Sequence, residues 1–198
     1  MGELRQDLLT GRWVVLAPSR GDRPVEGSAD TDGERPPPLD PECPFCPGNE
    51  NELPSILWER PGPEPHGWSC RAVPNRYPAF REDPPGAEPP ASEGLHERPP
   101  GSGPPRPVSV PAVGRQEVII ESPRHDRDPG RMSSDEATTM LAAYRERLRA
   151  TAVEAPDLHP LLFRNHGRTA GASLRHPHAQ LVATRFPGPR RQIVRERL

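Results

Sequence analysis

The chain has 198 residues, which is enough for one sizeable domain but would be crowded for two. Only 32% of its residues are hydrophobic, and proline and glycine contribute 31 and 17 residues, so we expect much of the chain to form loops. The formal net charge of −2 argues against nucleic-acid binding, and the absence of a long apolar run predicts a cytoplasmic protein without a membrane partner.

The first half of the chain contains two strand candidates separated by proline-rich segments. Residues 9–17 are aromatic and β-branched after a Thr-Gly turn, which predicts a strand. An irregular arm at residues 21–42 leads into a Cys-Pro-Phe-Cys segment, and residues 70–74 form the second strand candidate. Residues 83–107 are almost entirely Pro, Gly, Glu, Ser and Arg, which predicts a disordered insertion because few apolar groups offset its ordering entropy.

A hairpin and a helix are predicted next along the chain. Residues 108–113 and 116–121 resemble two strands joined by a turn at Gly114. Ser133 and Glu136 have the spacing of a capping box, and apolar residues then recur at helical spacing until the next proline.

Two further strands are predicted at residues 161–163 and 179–184, joined by a glycine-containing loop. Several strands with one long helix indicate an α+β fold, in which a mainly antiparallel sheet is packed by that helix. Residues 190–198 look like the first turns of a helix without a capping residue, so we interpret the chain as a fragment or a short form of a longer protein.

Cys43 and Cys46 have the spacing that lets two thiolates converge on one tetrahedral ion. A second pair of ligands would have to come from elsewhere in the chain. A buried, reduced cysteine pair and a redox dithiol are equally compatible with this segment.

His176 and His178 are two residues apart, and on a strand such residues point to the same face. Pro177 between them predicts that this strand end lies at an edge or a cleft. A neutral imidazole can accept a phosphoryl group and release it again, provided that an acceptor such as a backbone carbonyl holds its far N–H. The alternative interpretation is two surface histidines in a polar loop.

The residues around this pair could bind phosphate. Gly171 and Ser173 belong to a loop whose backbone N–H groups and hydroxyl suit phosphate oxygens, although one glycine and one serine are weak evidence alone. Gln180 lies two residues after His178 and could donate its amide to a developing phosphoryl charge. Its alternative role is a solvent-facing strand residue.

Three segments, Phe163-Arg164-Asn165-His166-Gly167, Ala170-Gly171-Ala172-Ser173 and His176-Pro177-His178-Ala179-Gln180, together resemble the galactose-1-phosphate uridylyltransferase family, a branch of the histidine triad superfamily. The resemblance implies a histidine-triad-like fold over nearly the whole chain, treated as a single N-terminal domain of residues 1–198. It extends to further segments: Thr10-Gly11-Arg12-Trp13, Pro18-Ser19-Arg20 through Arg23-Pro24, Cys43-Pro44-Phe45-Cys46, Pro74-Asn75-Arg76-Tyr77-Pro78 and Ser122-Pro123-Arg124-His125.

The resemblance also implies roles for individual residues. It implies a structural Zn²⁺ site made by Cys43, Cys46, His125 and His176, with His178 as nucleophile and the His176 carbonyl as its orienter. The implied reaction is uridylyl exchange between UDP-glucose and galactose 1-phosphate through a covalent uridylyl-histidine, in a protein that pairs as a homodimer. The implied contacts to uridine and phosphate are Arg20, Arg23, Asn75, Asn165, Gly171, Ser173 and Gln180.

Two alternatives accompany this interpretation. An ADP-glucose phosphorylase-like relative would share the same motifs and pass its nucleotidyl group to inorganic phosphate. A zinc-binding module without turnover of its own is the other alternative, because family members are about twice this length and nothing here resembles their second half.

Overall fold

The structure is a computed structural model that describes residues 2–7, 9, 12–23, 35–63, 65–82 and 109–185. The predicted turn at Thr10 and Gly11, the first residue of the strand predicted at 108–113, the insertion at 83–107 and the terminal helix at 190–198 lie outside these ranges.

Two antiparallel sheets and one long helix make up the described fold. The elements in chain order are β1 (Glu3–Gln6), β2 (Trp13–Leu16), β3 (Trp58–Pro61), β4 (Trp68–Pro74), β5 (Ser109–Pro111), β6 (Gly114–Ile120), α1 (Ser134–Glu154), β7 (His159–Phe163) and β8 (His178–Thr184). The larger sheet has the order β3-β4-β6-β8-β7, and the smaller has the order β2-β1-β5. Every pairing between these strands is antiparallel, which confirms the predicted α+β fold.

The two faces of the larger sheet pack against different parts of the chain. Ile119 of β6 and Leu181 of β8 belong to a buried cluster with Ala143 of α1. The alternate residue Val118 instead packs with Val73 in a second cluster. Because successive side chains of a strand point to opposite faces, the even-numbered residues of β6 and β8 lie on the face away from the helix.

Helix α1 begins with the predicted capping box. The Ser133 hydroxyl accepts the Glu136 backbone N–H at 3.2 Å, and the Glu136 carboxylate accepts the Ser133 N–H at 2.7 Å. Buried Arg147 makes two hydrogen bonds of 2.9 and 2.8 Å to the buried carboxylate of Glu117 on β6. Among the described helices, none combines the length and the apolar character that crossing a lipid bilayer requires.

The hairpin prediction around Gly114 is wrong. Strand β5 pairs with β1, with Val110 opposite Leu4, whereas β6 pairs with β4 and β8 in the other sheet. Gly114 is the first residue of β6, and a Cβ atom there would lie 2.2 Å from the carbonyl oxygen of Ala183. This glycine therefore permits close approach of two strands and does not form a hairpin turn.

The other strand predictions are confirmed within the described residues. The candidate at residues 9–17 contains β2, and the candidate at 70–74 lies within β4. The candidates at 161–163 and 179–184 correspond to β7 and β8, which pair with Leu162 opposite Leu181.

Candidate functional site

The segment around Cys43 and Cys46 folds into successive turns. The Cys43 N–H donates to the Asp40 carbonyl at 3.2 Å, and the Cys46 N–H donates to the Cys43 carbonyl at 3.1 Å. The Asn49 side chain donates to the carbonyls of Pro41 and Cys43 at 3.0 and 2.8 Å. These bonds hold both thiols inward, and neither cysteine forms a disulfide. We call residues 40–49 the cysteine knuckle.

Four buried side chains converge beneath this knuckle: Cys43, Cys46, His125 and His176. Their ligand atoms all lie within 4.8 Å of one another. The Nδ1 atom of His176 is 3.7 and 3.5 Å from the two sulfur atoms, and the Nδ1 atom of His125 is 3.5 Å from Cys46 Sγ. Ligands bound at about 2.0–2.3 Å to a tetrahedral ion are separated by about 3.5 Å, so these four residues could hold a metal ion.

The histidines of this cluster are oriented by groups outside it. The Nε2–H of His176 donates to the Ser122 carbonyl at 2.8 Å, which leaves a lone pair on Nδ1 toward the sulfur atoms. The backbone N–H of His125 donates to the Pro38 carbonyl at 2.9 Å. Next to it, hydrogen bonds from Arg124 and then Arg35 lower the pKa of the buried Asp126 carboxyl to about 2.

The cluster favours a deprotonated thiol at Cys46. The hydrogen bond from Cys43 lowers the pKa of Cys46 most, against the opposing effect of burial. The Asp40 N–H also donates to the Cys46 sulfur at 3.3 Å. The thiolate is the form of cysteine that binds metal ions.

His178 is the first residue of β8 and is 8% exposed, while His176 just before the strand is fully buried. This excludes two surface histidines in a polar loop. The Nδ1–H of His178 donates to the His176 carbonyl at 2.8 Å, so Nε2 is the nitrogen that carries the lone pair. Burial lowers the pKa of His178 most, and the nearby charge of Arg164 lowers it further, against the opposing effect of the hydrogen bond to the His176 carbonyl. The lowered pKa favours the neutral ring. The ring of Phe45 packs edge-on against both histidines.

A cavity of about 950 Å³ opens beside His178 on the sheet face opposite α1. Since β8 lies between β6 and β7, its end meets a cleft rather than a sheet edge. Of the predicted substrate contacts, Asn165 and Gly171 are not among the described residues that line the cavity. The predicted contacts that do line it are Arg20, Arg23, Asn75, Ser173 and Gln180.

Two neighbouring arginines, Arg20 and Arg23, line the cavity. Burial and the nearby charge of Arg23 both lower the pKa of Arg20. The Arg20 guanidinium also donates to the Tyr77 carbonyl at 2.8 Å, which fixes its position. Two arginines that repel each other in a cavity favour an anion between them.

Several residues of this region were not assigned a role from the sequence. Phe45 and Arg175 line the cavity, and the strand alternation of β6 places Gln116 on the same sheet face. Arg164 belongs to one of the segments that resemble the family, but no sequence pattern predicts its ion pair with Glu121. The buried Glu121 carboxylate, whose pKa is raised by burial, accepts hydrogen bonds from Arg164 at 3.0 Å and from Tyr144, which anchors the chain after β7.

Residues 2–187 match the family described as galactose-1-phosphate uridyl transferase, N-terminal domain. The chain belongs to this family. An ADP-glucose phosphorylase of Arabidopsis thaliana is 32% identical over 181 residues, covering 91% of this chain and 48% of the relative. A galactose-1-phosphate uridylyltransferase of Haemophilus influenzae is 27% identical over 183 residues, covering 92% and 46%. The chain thus spans about half the length of these curated relatives.

Solved structures show the same fold. A crystal structure of the Arabidopsis thaliana ADP-glucose phosphorylase with bound ADP-glucose aligns with a TM-score of 0.56 at 27% identity, covering 96% of this chain and 50% of that one. A uridylyltransferase structure aligns with a TM-score of 0.61 at 28% identity, covering 98% and 49%. The predicted family and its histidine-triad-like fold are therefore confirmed.

Proposed function

We propose that this chain performs nucleotidyl transfer, with His178 as the residue that carries the nucleotidyl group. The observation that supports this most directly is the hydrogen bond from His178 Nδ1–H to the His176 carbonyl. It leaves the lone pair on Nε2 of a neutral ring that lines a cavity large enough for a nucleoside diphosphate sugar.

The proposed reaction has two displacements at one phosphorus atom. Nε2 of His178 attacks the α-phosphorus of the substrate, a P–N bond forms, and the bond from that phosphorus to the bridging oxygen breaks. The sugar 1-phosphate leaves with the electron pair. An acceptor phosphate oxygen then attacks the same phosphorus and the P–N bond breaks, which restores the free imidazole.

The cavity-lining residues Arg20, Arg23, Asn75, Ser173 and Gln180 are the proposed contacts to nucleotide and phosphate. The two arginines supply positive charge, and the amide and hydroxyl groups supply hydrogen bonds. Asn165 and Gly171 remain proposed contacts on the resemblance alone.

We propose Zn²⁺ as the ion of the four-residue cluster. Two thiolates and two imidazoles in a buried tetrahedral arrangement are a typical donor set for this ion. Its role when bound would be to hold the cysteine knuckle against the segment that precedes β8. The side chain of His176 is one of the proposed ligands, and its backbone carbonyl then fixes the ring of His178.

Two substrate pairs fit this chemistry. The first is uridylyl exchange between UDP-glucose and galactose 1-phosphate, which the sequence motifs imply. The second is phosphorolysis of ADP-glucose, which is favoured by the 32% identity to the Arabidopsis thaliana ADP-glucose phosphorylase. The intermediates differ only in the base of the nucleotide bound to His178.

A third proposal is that the chain binds zinc and nucleotide without turnover of its own. It is favoured by the coverage of only about half of each relative. A homodimer, also implied by the family resemblance, would be visible by analytical ultracentrifugation of the purified chain.

The decisive experiment is covalent labelling. The protein is incubated with UDP-glucose or ADP-glucose radiolabelled at the α-phosphorus, denatured and tested for an acid-labile, base-stable label. We expect a label from one nucleotide and none when the radiolabel is in the glucose. Galactose 1-phosphate or inorganic phosphate should then discharge the label, which identifies the acceptor.

Each result distinguishes between the proposals. A label that neither acceptor discharges supports a chain that forms the intermediate but does not turn over. No label from either nucleotide, in a protein that binds zinc and shows a cooperative unfolding transition, would rule out His178 as a nucleophile in this chain.

A further inference from the structure

A chain of two hydrogen bonds connects the backbone of Ala79 to the cavity wall. The Ala79 N–H donates to the side-chain oxygen of Gln116 at 2.7 Å. The side-chain nitrogen of Gln116 then donates to the side-chain oxygen of Gln180 at 2.9 Å. Gln116 is 8% exposed and is not among the described residues that line the cavity, whereas Gln180 lines it beside His178.

The Ala79 N–H determines the direction of both hydrogen bonds. A backbone N–H can only donate, so Gln116 must turn its amide oxygen toward Ala79. Its NH₂ group then points to Gln180 and requires an acceptor there. The oxygen of Gln180 meets that requirement, so its own NH₂ group is held on the other side of the amide. One backbone N–H thereby sets the orientation of two glutamine side chains.

We propose that Gln116 is a positioning residue for nucleotidyl transfer, because it fixes the amide of Gln180 so that NH₂ rather than oxygen is presented to the substrate phosphate. This inference rests on the proposed function of His178. An amide NH₂ stabilises the negative charge that develops on phosphoryl oxygens, whereas an amide oxygen in the same place repels it. Without Gln116, both orientations of the Gln180 amide become accessible.

The sheet supports this assignment by placing the two side chains on one face. Val118 of β6 lies directly opposite Gln180 of β8. Gln116 lies two residues before Val118 on β6, so it is the diagonal neighbour of Gln180 on this face. The backbone carbonyl of Gln116 separately accepts the Asn75 N–H at 2.8 Å. A side-chain substitution leaves this backbone bond in place, so the amide relay can be changed without removing the attachment of the Asn75 loop.

Two substitutions of Gln116 separate orientation from simple packing. Gln116→Leu removes both side-chain hydrogen bonds and leaves the Gln180 amide without a fixed orientation. Gln116→Glu keeps the side-chain size and the acceptor for the Ala79 N–H. Its carboxylate cannot donate to the Gln180 oxygen, so it favours the flipped Gln180 amide, in which NH₂ faces residue 116 and the oxygen faces the cavity. We expect the rate of covalent labelling to fall about 10-fold in Gln116→Leu and about 100-fold in Gln116→Glu.

The test is a double-mutant cycle with Gln180→Leu, measured as the initial rate of label formation on His178. If Gln116 acts through Gln180, adding either Gln116 substitution to Gln180→Leu should change the rate less than twofold. Thermal unfolding and zinc content are measured for each variant, so that only variants that are folded and loaded with metal are compared.

The outcomes distinguish this inference from the function on which it rests. Losses that persist undiminished in the Gln180→Leu background mean that Gln116 has a structural role only, and the inference is then wrong. Equal labelling rates in wild type, Gln116→Leu and Gln116→Glu also overturn it while leaving the proposed function intact. Absence of label in the wild-type chain overturns both.

Discussion

His176 and His178 are joined through a single carbonyl group: the oxygen of His176 accepts the Nδ1–H of His178 at 2.8 Å. The Nδ1 atom of His176 faces the sulfur atoms of the cysteine knuckle, and its Nε2–H donates to the Ser122 carbonyl. The backbone of one residue thus orients the proposed nucleophile while its side chain belongs to the candidate metal cluster.

Replacing His178 by alanine should abolish the covalent label. The substitution removes the atom to which the phosphorus would bond, so we expect a loss of at least about 1000-fold in labelling. His66→Ala is a matched control, since His66 lies in the connection between β3 and β4 at the far side of the sheet. Labelling that survives in His178→Ala at the wild-type level would show that another residue is the nucleophile.

Replacing Cys43 by serine should remove the bound metal. The wild-type chain is expected to contain about one zinc ion by elemental analysis, and Cys43→Ser well below half of that. Its melting temperature should fall, because the free energy of metal binding contributes to folding. The control is Cys70→Ala, since Cys70 is buried outside the cluster and donates to the Glu121 carbonyl at 3.3 Å. Equal zinc content in Cys43→Ser and wild type would contradict the assignment.

Cys70 should be inert to alkylation in the folded protein. Burial, reinforced by the charge of Glu121, raises its pKa to about 12. At pH 8 only about one thiol in ten thousand is then ionised, and this fraction grows tenfold for each unit of pH increase. Mass spectrometry after iodoacetamide treatment of the chelator-treated protein should show modification of Cys43 and Cys46 before Cys70. Rapid modification of Cys70 under native conditions would mean that this site is open.

Replacing Arg147 by methionine should destabilise the fold strongly. The substitution leaves the carboxylate of Glu117 buried without its partner, at a cost of about 3–5 kcal/mol. Adding Glu117→Leu should recover much of this loss because the unpaired charge disappears. Urea unfolding of the single and double variants measures both effects. A loss below about 1 kcal/mol in Arg147→Met would show that water reaches Glu117.

The sequence was sufficient for the local features whose determinants lie close together in the chain. The capping box needs only Ser133 and Glu136, and four strands of the larger sheet, β4, β6, β7 and β8, follow from short apolar runs. Strand β3 (Trp58–Pro61) has no such run and is not predicted from the sequence. The family resemblance then supplied the four-residue cluster, because Cys43 and His176 are 133 residues apart and no local pattern connects them.

Features that depend on pairing between distant strands could not be predicted in the same way. Glycine is a typical turn residue, so the sequence predicts a turn at Gly114. Only the position of Ala183 beside it explains why a side chain is excluded there. The contact between Gln116 and Gln180 depends on the register of β6 and β8, which the single sequence does not specify. The same holds for the partnership of Glu121 with Arg164.

The cysteine knuckle has a thermodynamic consequence because it serves two purposes at once. Cys43, Pro44 and Phe45 form part of the cavity wall, and Cys43 also belongs to the buried cluster. If the proposed ion and nucleotide both bind, ordering of the knuckle by one ligand would lower the entropy cost of binding the other, and their affinities would be linked by an equal and reciprocal free energy. A nucleotide held in the cavity would then raise the affinity for the ion, and loss of the ion would weaken nucleotide binding by the same factor.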